Sequence, residues 1–192
     1  TPVVLGGPHP TYLCDYSLNN SDTDYVICGE GEIPLVKLWQ HIMGQITLSE
    51  VPSLAYINAR GVIERTVQQP RIKDLDQVNL PFPARHLLPM EKYIGTQEAH
   101  GAAHGHGRWT TILSSRGCPY GCTFCVQSNG WYNKIYGFST ERIEAEFRYL
   151  GKRMTSHIDV PLGISDSNFG MYPRDLETAK FLAKLSKESS ST

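Results

Sequence analysis

Three cysteines lie within eight residues in the segment Arg116-Gly117-Cys118-Pro119-Tyr120-Gly121-Cys122-Thr123-Phe124-Cys125, at the spacing C-x3-C-x2-C. Thiolates are soft ligands, and they suit zinc, copper(I) or iron–sulfur clusters. A structural zinc site normally takes four protein ligands, whereas no fourth cysteine follows this segment nearby. The glycines and the proline of the segment allow a short loop to turn around a bulky group. The pattern therefore favours a four-iron cluster that is held by three thiolates and keeps one iron open.

Apolar residues around the cysteine segment predict an alternation of strands and helices. A strand over 109–114 leads into the cysteines, and a helix capped at 139–140 follows them. A second strand near 158–164 runs into residues 166–168, and a second helix begins near Pro173. Ligands bind at the carboxyl ends of strands in such units, so the cysteines and residues 166–168 are expected at one edge. The predicted inner faces are Ile143, Phe147, Leu150 and Met154 on the first helix and Leu176, Ala179, Leu182 and Leu185 on the second.

Residues 1–45 also show the pattern of alternating strand and helix. The apolar strand Val3-Val4-Leu5 ends in the turn Gly6-Gly7-Pro8. A second strand over 24–28 ends in Gly29-Glu30-Gly31-Glu32, and a helix follows with Pro34 in its first turn, where a missing N–H costs little. This order favours a parallel, doubly wound sheet of the α/β class. The apolar face predicted for the helix consists of Leu35, Leu38, Trp39 and Ile42.

Residues 46–107 differ in character and are predicted to form a connector. Strands over 53–57 and 62–66 flank a turn and predict a β-hairpin. A proline-rich segment over 80–90 favours an extended conformation, and a glycine- and histidine-rich loop follows it. In that loop a zinc site could be completed by His100, His104 and His106, but a solvated loop is the favoured interpretation.

The cysteine spacing, with an aromatic residue just before the last cysteine and a strand before the loop, resembles that of the radical S-adenosylmethionine (SAM) superfamily. The resemblance implies that Cys118, Cys122 and Cys125 bind three irons of a [4Fe-4S] cluster and that the fourth iron chelates SAM. Phe124 would then contact the adenine side of SAM. One electron would cleave SAM to methionine and a deoxyadenosyl radical, which removes a hydrogen atom from the substrate. The implied fold is a partial (β/α)6 barrel, and residues 108–192 would supply its first two β/α units.

The glycine turns of residues 1–45 resemble the last part of a flavodoxin-like, Rossmann-like cobalamin-binding domain. In such a domain a Gly-Gly turn lets the backbone approach the nucleotide tail of the cofactor. The resemblance implies cofactor contacts at Gly6, Gly7, Gly29, Glu30 and Gly31. The segment from Asp74 to Tyr93 resembles the connector of these proteins. The family's Asp-x-His-x-x-Gly cobalamin loop does not occur in the chain.

Two polar residues that follow the second strand of the radical SAM part also have an implied role. In the family, the position of Asp166 and Asn168 lies near SAM or substrate. The alternative is a turn that is stabilised by Asx hydrogen bonds. Cys14 and Cys28 are expected to be structural, since buried free cysteine is common.

Composition limits the classes of partner and compartment. The net charge of -1 gives no electrostatic case for nucleic acid or an anionic membrane. No apolar run approaches the roughly 20 residues that span a bilayer. The local cluster of cysteines fits a reducing cytoplasm better than a secreted disulfide framework. The chain starts within an apolar strand and is expected to be an internal fragment that is inactive alone.

The favoured function is methylation, or cyclisation or rearrangement, of an unactivated carbon, with a [4Fe-4S] cluster, SAM and cobalamin as cofactors. The expected partners are a small-molecule or natural-product substrate and an electron donor such as flavodoxin or ferredoxin. One alternative is another radical SAM branch, the methylthiotransferases, which carry extra N-terminal cysteines. Cys14 and Cys28 are too few and badly spaced for that second cluster. The other alternative is a zinc-stabilised, non-catalytic binding module.

Overall fold

The computed structural model of the protein describes residues 1–77, 80–89, 110–128, 131–154 and 162–189. The chain forms two compact units, Thr1–Lys73 and Asp74–Thr192. The segment predicted as a connector, 46–107, spans this division, because its β-hairpin joins the sheet of the first unit. No helix among the described residues is long and apolar enough to cross a membrane.

The first unit contains a four-stranded sheet in the order β1-β2-β3-β4. Its strands are β1 (Val4–Leu5), β2 (Tyr25–Ile27), β3 (Leu54–Ile57) and β4 (Ile63–Arg65). Only β1 and β2 are parallel, whereas β3 is antiparallel to both of its neighbours. The expectation of parallel strands is confirmed for residues 1–45, and the predicted hairpin makes the rest of the sheet antiparallel. The hairpin turn, in which the Gly61 N–H donates to Asn58 O at 2.9 Å, sends the chain back as an antiparallel edge.

Three helices flank this sheet: α1 (Pro8–Tyr12), α2 (Cys14–Asn19) and α3 (Glu32–Ile42). The apolar pattern predicted α3 but not the two short helices, which lie between the predicted strands. Of the face predicted for α3, only Leu38 is buried, at 1% exposure. Leu35, Trp39 and Ile42 are exposed, so the inner face of this helix is narrower than its pattern indicated.

Two apolar clusters pack on the two faces of this sheet. They separate on β2, where Val26 and Ile27 point to opposite faces, as successive residues of a strand do. One cluster consists of Cys14, Leu18, Val26 and Ala55. The other consists of Ile27, Leu38, Val51 and Leu54. Full burial of each such aliphatic side chain contributes roughly 1.5–3 kcal/mol, so β2 contributes to the stability of both faces of the sheet.

The second unit is built on a β/α/β/α sequence. It contains β5 (Thr110–Ile112), β6 (Ser115–Arg116), β7 (Tyr136–Gly137), α4 (Thr140–Met154), β8 (Leu162–Ile164) and α5 (Pro173–Ser189). β5 and β8 are parallel and adjacent, with α4 in the connection between them. β6 and β7 form a separate antiparallel pair that the apolar pattern did not predict.

The core of this unit lies along α4. The predicted face is confirmed for Ile143, Phe147 and Leu150, which are at most 4% exposed. The Phe147 ring lies 6.2 Å from that of Phe181 on α5. On α5 the predicted face is wrong at its start, since Leu176 is 59% exposed. The buried positions of that turn are polar.

Those polar positions are Asp175 and Thr178, of which Asp175 is 2% exposed. One Asp175 carboxylate oxygen accepts the backbone N–H groups of Gly170 and Tyr172, at 3.0 and 3.1 Å. Periodicity missed this because a buried carboxylate is rare unless its bonds are satisfied. Here the hydrogen bonds at the helix start justify the burial, and Leu176 turns outward.

The start of the predicted proline-rich segment is fastened to the second unit by Arg85. Its guanidinium pairs with Glu146 on α4 at 3.0 Å and donates to Thr111 O at 2.7 Å. Both charged side chains are largely buried, and buried charges require such pairing. Ser139 caps α4 by accepting the N–H of Arg142 at 3.1 Å, which confirms the predicted helix start. These contacts fix α4 beside β5, the strand that leads into the cysteine segment.

Candidate metal centre

Gly117 comes directly before the first cysteine, and any side chain at this position would clash with neighbouring backbone. Gly117 has a φ of 98°, in the left-handed region that favours glycine. A Cβ atom there would overlap the carbonyl oxygen of Lys134 and lie 2.9 Å from that of Tyr132. The Cys118 N–H donates to the same Tyr132 oxygen at 2.8 Å. The first cysteine is therefore held by backbone contacts with the chain that leads into β7.

The three cysteines differ in exposure. Cys118 is buried, Cys125 is half-buried, and Cys122 is exposed. The Cys125 N–H donates to Cys122 O at 3.1 Å, and a 3₁₀ helix, Val126–Ser128, follows. Within the described ranges, no three His, Cys, Asp or Glu side chains converge closely enough to hold a metal ion. The structure thus places the three thiols on one loop but does not gather them into a closed ligand set.

The sulfur of Cys118 has a polar neighbour from the next strand. The Asn168 side-chain amide donates to Cys118 Sγ at 2.9 Å. Asn168 follows β8, whose partner β5 precedes the cysteines. Because parallel strands bring their carboxyl ends to the same edge, the two loops meet there, as the sequence predicted.

Asp166 connects the same two loops through a single carboxylate. One of its oxygens accepts the N–H groups of Ser114 and Ser115, at 2.7 and 3.2 Å. The other accepts both serine hydroxyl groups, at 2.5 and 2.7 Å. Four hydrogen bonds from the chain end of β5 make Asp166 a brace for the segment that leads into the cysteines. These four bonds differ from the predicted alternative of an Asx turn, because they run to the end of another strand and not to the backbone of the same turn.

Ser114, Ser115 and Gln127 are site residues that sequence reasoning missed. Ser167 Oγ donates to Gln127 Oε1 at 2.8 Å, just beyond the last cysteine. Ser114 and Ser115 are both buried. The sequence does show two adjacent serines between the apolar strand and the cysteine loop, but it does not indicate which residue they bind.

Phe124 lies inside the cysteine loop, next to Cys125. Its side chain is 91% exposed. An exposed aromatic ring beside ligand-type residues offers a flat apolar surface that could cover a bound group. The structure does not bring Phe124 into the core of the unit.

The donor chemistry of the loop fits an iron–sulfur cluster. It offers three thiols and no competing carboxylate. It also offers an amide N–H directed at one sulfur. Thiolates with N–H donors nearby are the usual protein environment of such clusters. His100, His104 and His106, the other predicted candidates for metal ligands, lie outside the described residues.

The glycine turns of the first unit also meet at one edge. Gly6 and Gly7 follow β1, and Gly29 follows β2, the parallel neighbour of β1. Gly7 and Gly29 have φ values of 95° and 94°, and the Gly29 N–H donates to Thr11 Oγ1 at 2.9 Å. No atom lies within 4 Å of a Cβ built on Gly7, so its outer side is open.

Glu30 and Gly31 have different surroundings from these glycines. Glu30 is 7% exposed, and its carboxylate accepts the Ile72 N–H at 2.6 Å. The carboxylate therefore holds the end of the first unit in place. A Cβ on Gly31 would lie 3.9 Å from the side chain of Ile27, in ordinary contact.

Cys14 and Cys28 belong to the apolar core of the first unit, as predicted for structural cysteines. Cys28 is half-buried, and burial raises the pKa of its thiol to about 12, with the neighbouring Cys14 thiol adding to the effect. A thiol in this state is a poor metal ligand, because the thiolate is the ligating form.

No protein-family model matches the chain. Among curated proteins, it is 32% identical over 149 residues to an uncharacterised methyltransferase of Pyrococcus horikoshii, which covers 77% of the chain and 30% of that protein. It is 31% identical over 186 residues to the cobalamin-dependent radical SAM methyltransferase TokK of Streptomyces tokunonensis, covering 95% of the chain and 25% of that protein.

The chain is also 30% identical over 130 residues to an anaerobic magnesium-protoporphyrin IX monomethyl ester cyclase of Synechocystis, covering 67% of the chain and 24% of that protein. Its structure resembles that of the radical SAM methyltransferase TsrM from Kitasatospora setae, solved with cobalamin and a [4Fe-4S] cluster bound. The TM-score is 0.68 at 18% identity, covering 100% of the chain and 35% of TsrM. The likeness to TsrM shows the shared fold, and the chain spans about a third of the length of these proteins or less.

Proposed function

This chain belongs to the superfamily of cobalamin-dependent radical SAM enzymes, and we propose that it forms their [4Fe-4S] centre and one side of their cobalamin site. The proposed reaction is methylation, or cyclisation or rearrangement, of an unactivated carbon. The observation that carries the proposal is the C-x3-C-x2-C loop at the carboxyl end of β5, with the Asn168 amide on the Cys118 sulfur. Relatives of both reaction types, a methyltransferase and a cyclase, match the chain at similar identity.

Cys118, Cys122 and Cys125 are the proposed ligands of the cluster. A cluster held by these three thiolates would supply the single electron for reductive cleavage of SAM to methionine and a deoxyadenosyl radical. Cys118 is anchored by its backbone bond to Tyr132, while Cys122 is exposed. The loop therefore has one buried, anchored ligand and one exposed ligand. In this scheme the exposed ring of Phe124 covers the adenine of SAM.

Asp166 holds the two strand ends together on which the proposed site is built. Its carboxylate carries four hydrogen bonds from Ser114 and Ser115, so it is not a ligand or a base in this scheme. We assign Asn168 to the same edge, where its amide faces the proposed cluster. The remaining SAM and substrate contacts are proposed to come from parts of the enzyme outside this chain.

The cobalamin contacts are assigned to the glycine edge of the first unit. Gly7 is the strongest position, because its backbone is in the left-handed region and its outer side is open. Gly6, Gly29 and Gly31 complete the proposed surface, on which backbone groups approach the cofactor without intervening side chains. Glu30 takes part by holding the end of the unit rather than by contact with the cofactor.

The proposed partners follow from the reaction. A reductive cleavage needs an electron donor, for which flavodoxin or ferredoxin has the required chemistry, and the substrate is a small molecule or natural product. The five cysteines are all free thiols. That state fits a reducing compartment, so we propose a cytoplasmic location.

Anaerobic reconstitution of the protein with iron and sulfide, followed by electron paramagnetic resonance (EPR), tests the proposal. The expected result is a reduced four-iron signal that changes when SAM is added, because SAM binds the open iron. Tight binding of zinc with no iron would contradict the proposal and establish a structural metal module. A second measurement, the absorbance shift on addition of aquacobalamin, tests the glycine edge separately.

A further inference from the structure

Residues 166–168, which follow β8, contact the cysteine loop at three places. Asp166 accepts four hydrogen bonds from Ser114 and Ser115, before the loop. Ser167 donates to Gln127, after the loop, at 2.8 Å. Asn168 donates to the sulfur of Cys118, inside it, at 2.9 Å. These three consecutive side chains thus divide into two that brace the ends of the loop and one that contacts a ligand atom.

The contact of Asn168 differs in kind from the other two. The two braces pair ordinary oxygen and nitrogen groups, which serve to position the chain. The Asn168 amide instead points an N–H dipole at the buried sulfur of a proposed cluster ligand. In a buried site the hydrogen bonds to ligand sulfurs help to set the reduction potential of a cluster. An N–H donor favours the reduced cluster, because reduction adds negative charge to the sulfurs.

We propose that Asn168 is a positioning and tuning residue: its amide N–H on Cys118 Sγ raises the reduction potential of the cluster, while Asp166 and Ser167 hold the turn that aims it. This inference rests on the proposed function, since it requires the cluster. It assigns Asn168 a role toward the ligand sulfur, distinct from a direct contact with SAM or substrate. It also accounts for the neighbours of Asn168: Asp166 is bonded to the chain before the loop, and Ser167 is bonded to the chain after it.

Asn168→Leu is the primary test, because leucine has nearly the same shape and cannot donate a hydrogen bond. After reconstitution with iron and sulfide, the equilibrium constant for reduction of the cluster is expected to be about tenfold lower in the variant than in the wild-type protein. For a one-electron couple this is a fall of about 59 mV in midpoint potential, measured by redox titration followed by EPR. Asn20→Leu, the same substitution at an exposed asparagine of the first unit whose amide donates to Tyr16 O, is the matched control and is expected to keep the wild-type potential.

Pulsed EPR on the wild-type protein provides a readout that does not depend on the stability of a variant. With ¹⁵N in asparagine side chains, the reduced cluster is expected to show coupling to a nearby nitrogen. Asn168→Asp, which keeps the shape and loses the donor, is expected to lose that coupling and to lower the potential.

Three outcomes separate the possibilities. A cluster of unchanged potential in Asn168→Leu or Asn168→Asp would overturn this inference alone. Absence of nitrogen coupling in the wild-type protein would overturn it as well, even if neither variant folds. Failure of the wild-type protein to bind iron and sulfide would overturn the proposed function, and the inference with it.

Discussion

The two units place their cysteines in opposite environments. In the first unit, Cys14 and Cys28 lie in the apolar core, and burial raises the pKa of the Cys28 thiol to about 12. In the second unit, Cys118 is buried under the amide of Asn168, and Cys122 is exposed on a loop. Burial alone does not distinguish them, because Cys14 and Cys118 are both buried. The difference lies in the neighbours: Cys14 packs among apolar side chains, whereas the sulfur of Cys118 accepts an N–H of Asn168.

The same contrast appears at the sheet edges of the two units. At the ends of β1 and β2, the chain presents glycine backbone, with Gly7 and Gly29 in the left-handed region. At the ends of β5 and β8, side chains cross between the loops: Asp166 accepts hydrogen bonds from Ser114, and Asn168 donates one to Cys118. An edge formed by glycine backbone allows a large cofactor to approach closely, whereas an edge crossed by side-chain hydrogen bonds holds metal-ligand side chains in fixed positions. Each prediction below tests one side of this comparison.

The largest expected effect is the loss of the cluster on removal of a proposed ligand. Cys118→Ala, Cys122→Ala and Cys125→Ala are each expected to lose most of the bound iron and all reductive SAM cleavage, because two thiolates do not hold the cluster firmly. Iron and sulfide analysis after anaerobic reconstitution measures the first, and chromatography of deoxyadenosine the second.

Cys28→Ala is the matched control from the first unit. It removes a half-buried thiol of raised pKa, so its iron content is expected to equal that of the wild-type protein. Iron loss in this variant, or retention of full iron in all three ligand variants, would break the contrast between the units.

The second effect in size concerns the glycine that begins the loop. Gly117→Ala adds a side chain at φ 98° that overlaps the Lys134 carbonyl, so we expect a loss of about 3 kcal/mol in the free energy of unfolding, roughly a hundredfold. Gly170→Ala has a similar φ of 99° but open space around it, and is expected to cost only about 1 kcal/mol. Urea denaturation of both variants measures the difference, and equal losses would show that the Lys134 contact is unimportant.

The third effect is a difference in thiol reactivity in the metal-free protein. At pH 8, a thiol of pKa about 12 is ionised to roughly one part in ten thousand, so Cys28 is expected to react slowly with iodoacetamide. Cys122 is exposed and is expected to react at least tenfold faster. Mass spectrometry of timed samples measures both rates on one protein. Faster labelling of Cys28 would mean that the core of the first unit opens readily.

The smallest expected effect is a pH dependence of stability that arises in the first unit, from the pair Tyr56 and Glu64. The Tyr56 hydroxyl, followed by the Asn58 amide, lowers the pKa of the Glu64 carboxyl in the hairpin, and Glu64 in turn raises the pKa of Tyr56. The lowered carboxyl pKa stabilises the fold above the unfolded value near 4.5, and this contribution is lost as the pH falls through the folded pKa. The raised pKa of the Tyr56 hydroxyl stabilises the fold below the unfolded value near pH 10. This contribution is lost as the pH rises through the folded pKa.

Tyr56→Phe is expected to raise the pKa of Glu64 toward its ordinary value, as measured by nuclear magnetic resonance titration of the carboxyl carbon. The second unit does not contain this pair, and its amide signals are expected to be unaffected. An unchanged Glu64 pKa in the variant would show that the hydrogen bond at 2.6 Å does not persist in solution.

Much of the second unit could be predicted from local pattern. The spacing of Ile143, Phe147 and Leu150 predicts an amphipathic helix, and its buried face is the one observed. The spacing failed at Leu176, where Asp175 is buried and bonded to backbone N–H groups. Periodicity measures hydrophobicity along one element, and it is blind to hydrogen bonds that a neighbouring loop provides.

In the first unit, the order of strands and glycine turns was predictable, but the pairing was not. The hairpin of residues 53–66 was evident from its turn, yet its place beside β2 made the sheet mixed. Pairing between distant strands depends on which edges the rest of the fold leaves open. The short helices α1 and α2 were missed because each is only five or six residues long.

The sequence by itself indicated the superfamily of this protein and predicted its metal ligands, from three thiols at C-x3-C-x2-C spacing after a strand. That information is local, because a loop of eight residues carries the whole pattern. Only the tertiary structure decided that Asn168 reaches Cys118, that Asp166 braces Ser114 and Ser115, and that Glu30 faces Ile72. Each of these contacts joins residues more than 40 positions apart, and the distance between such residues is set by strand pairing rather than by any local pattern.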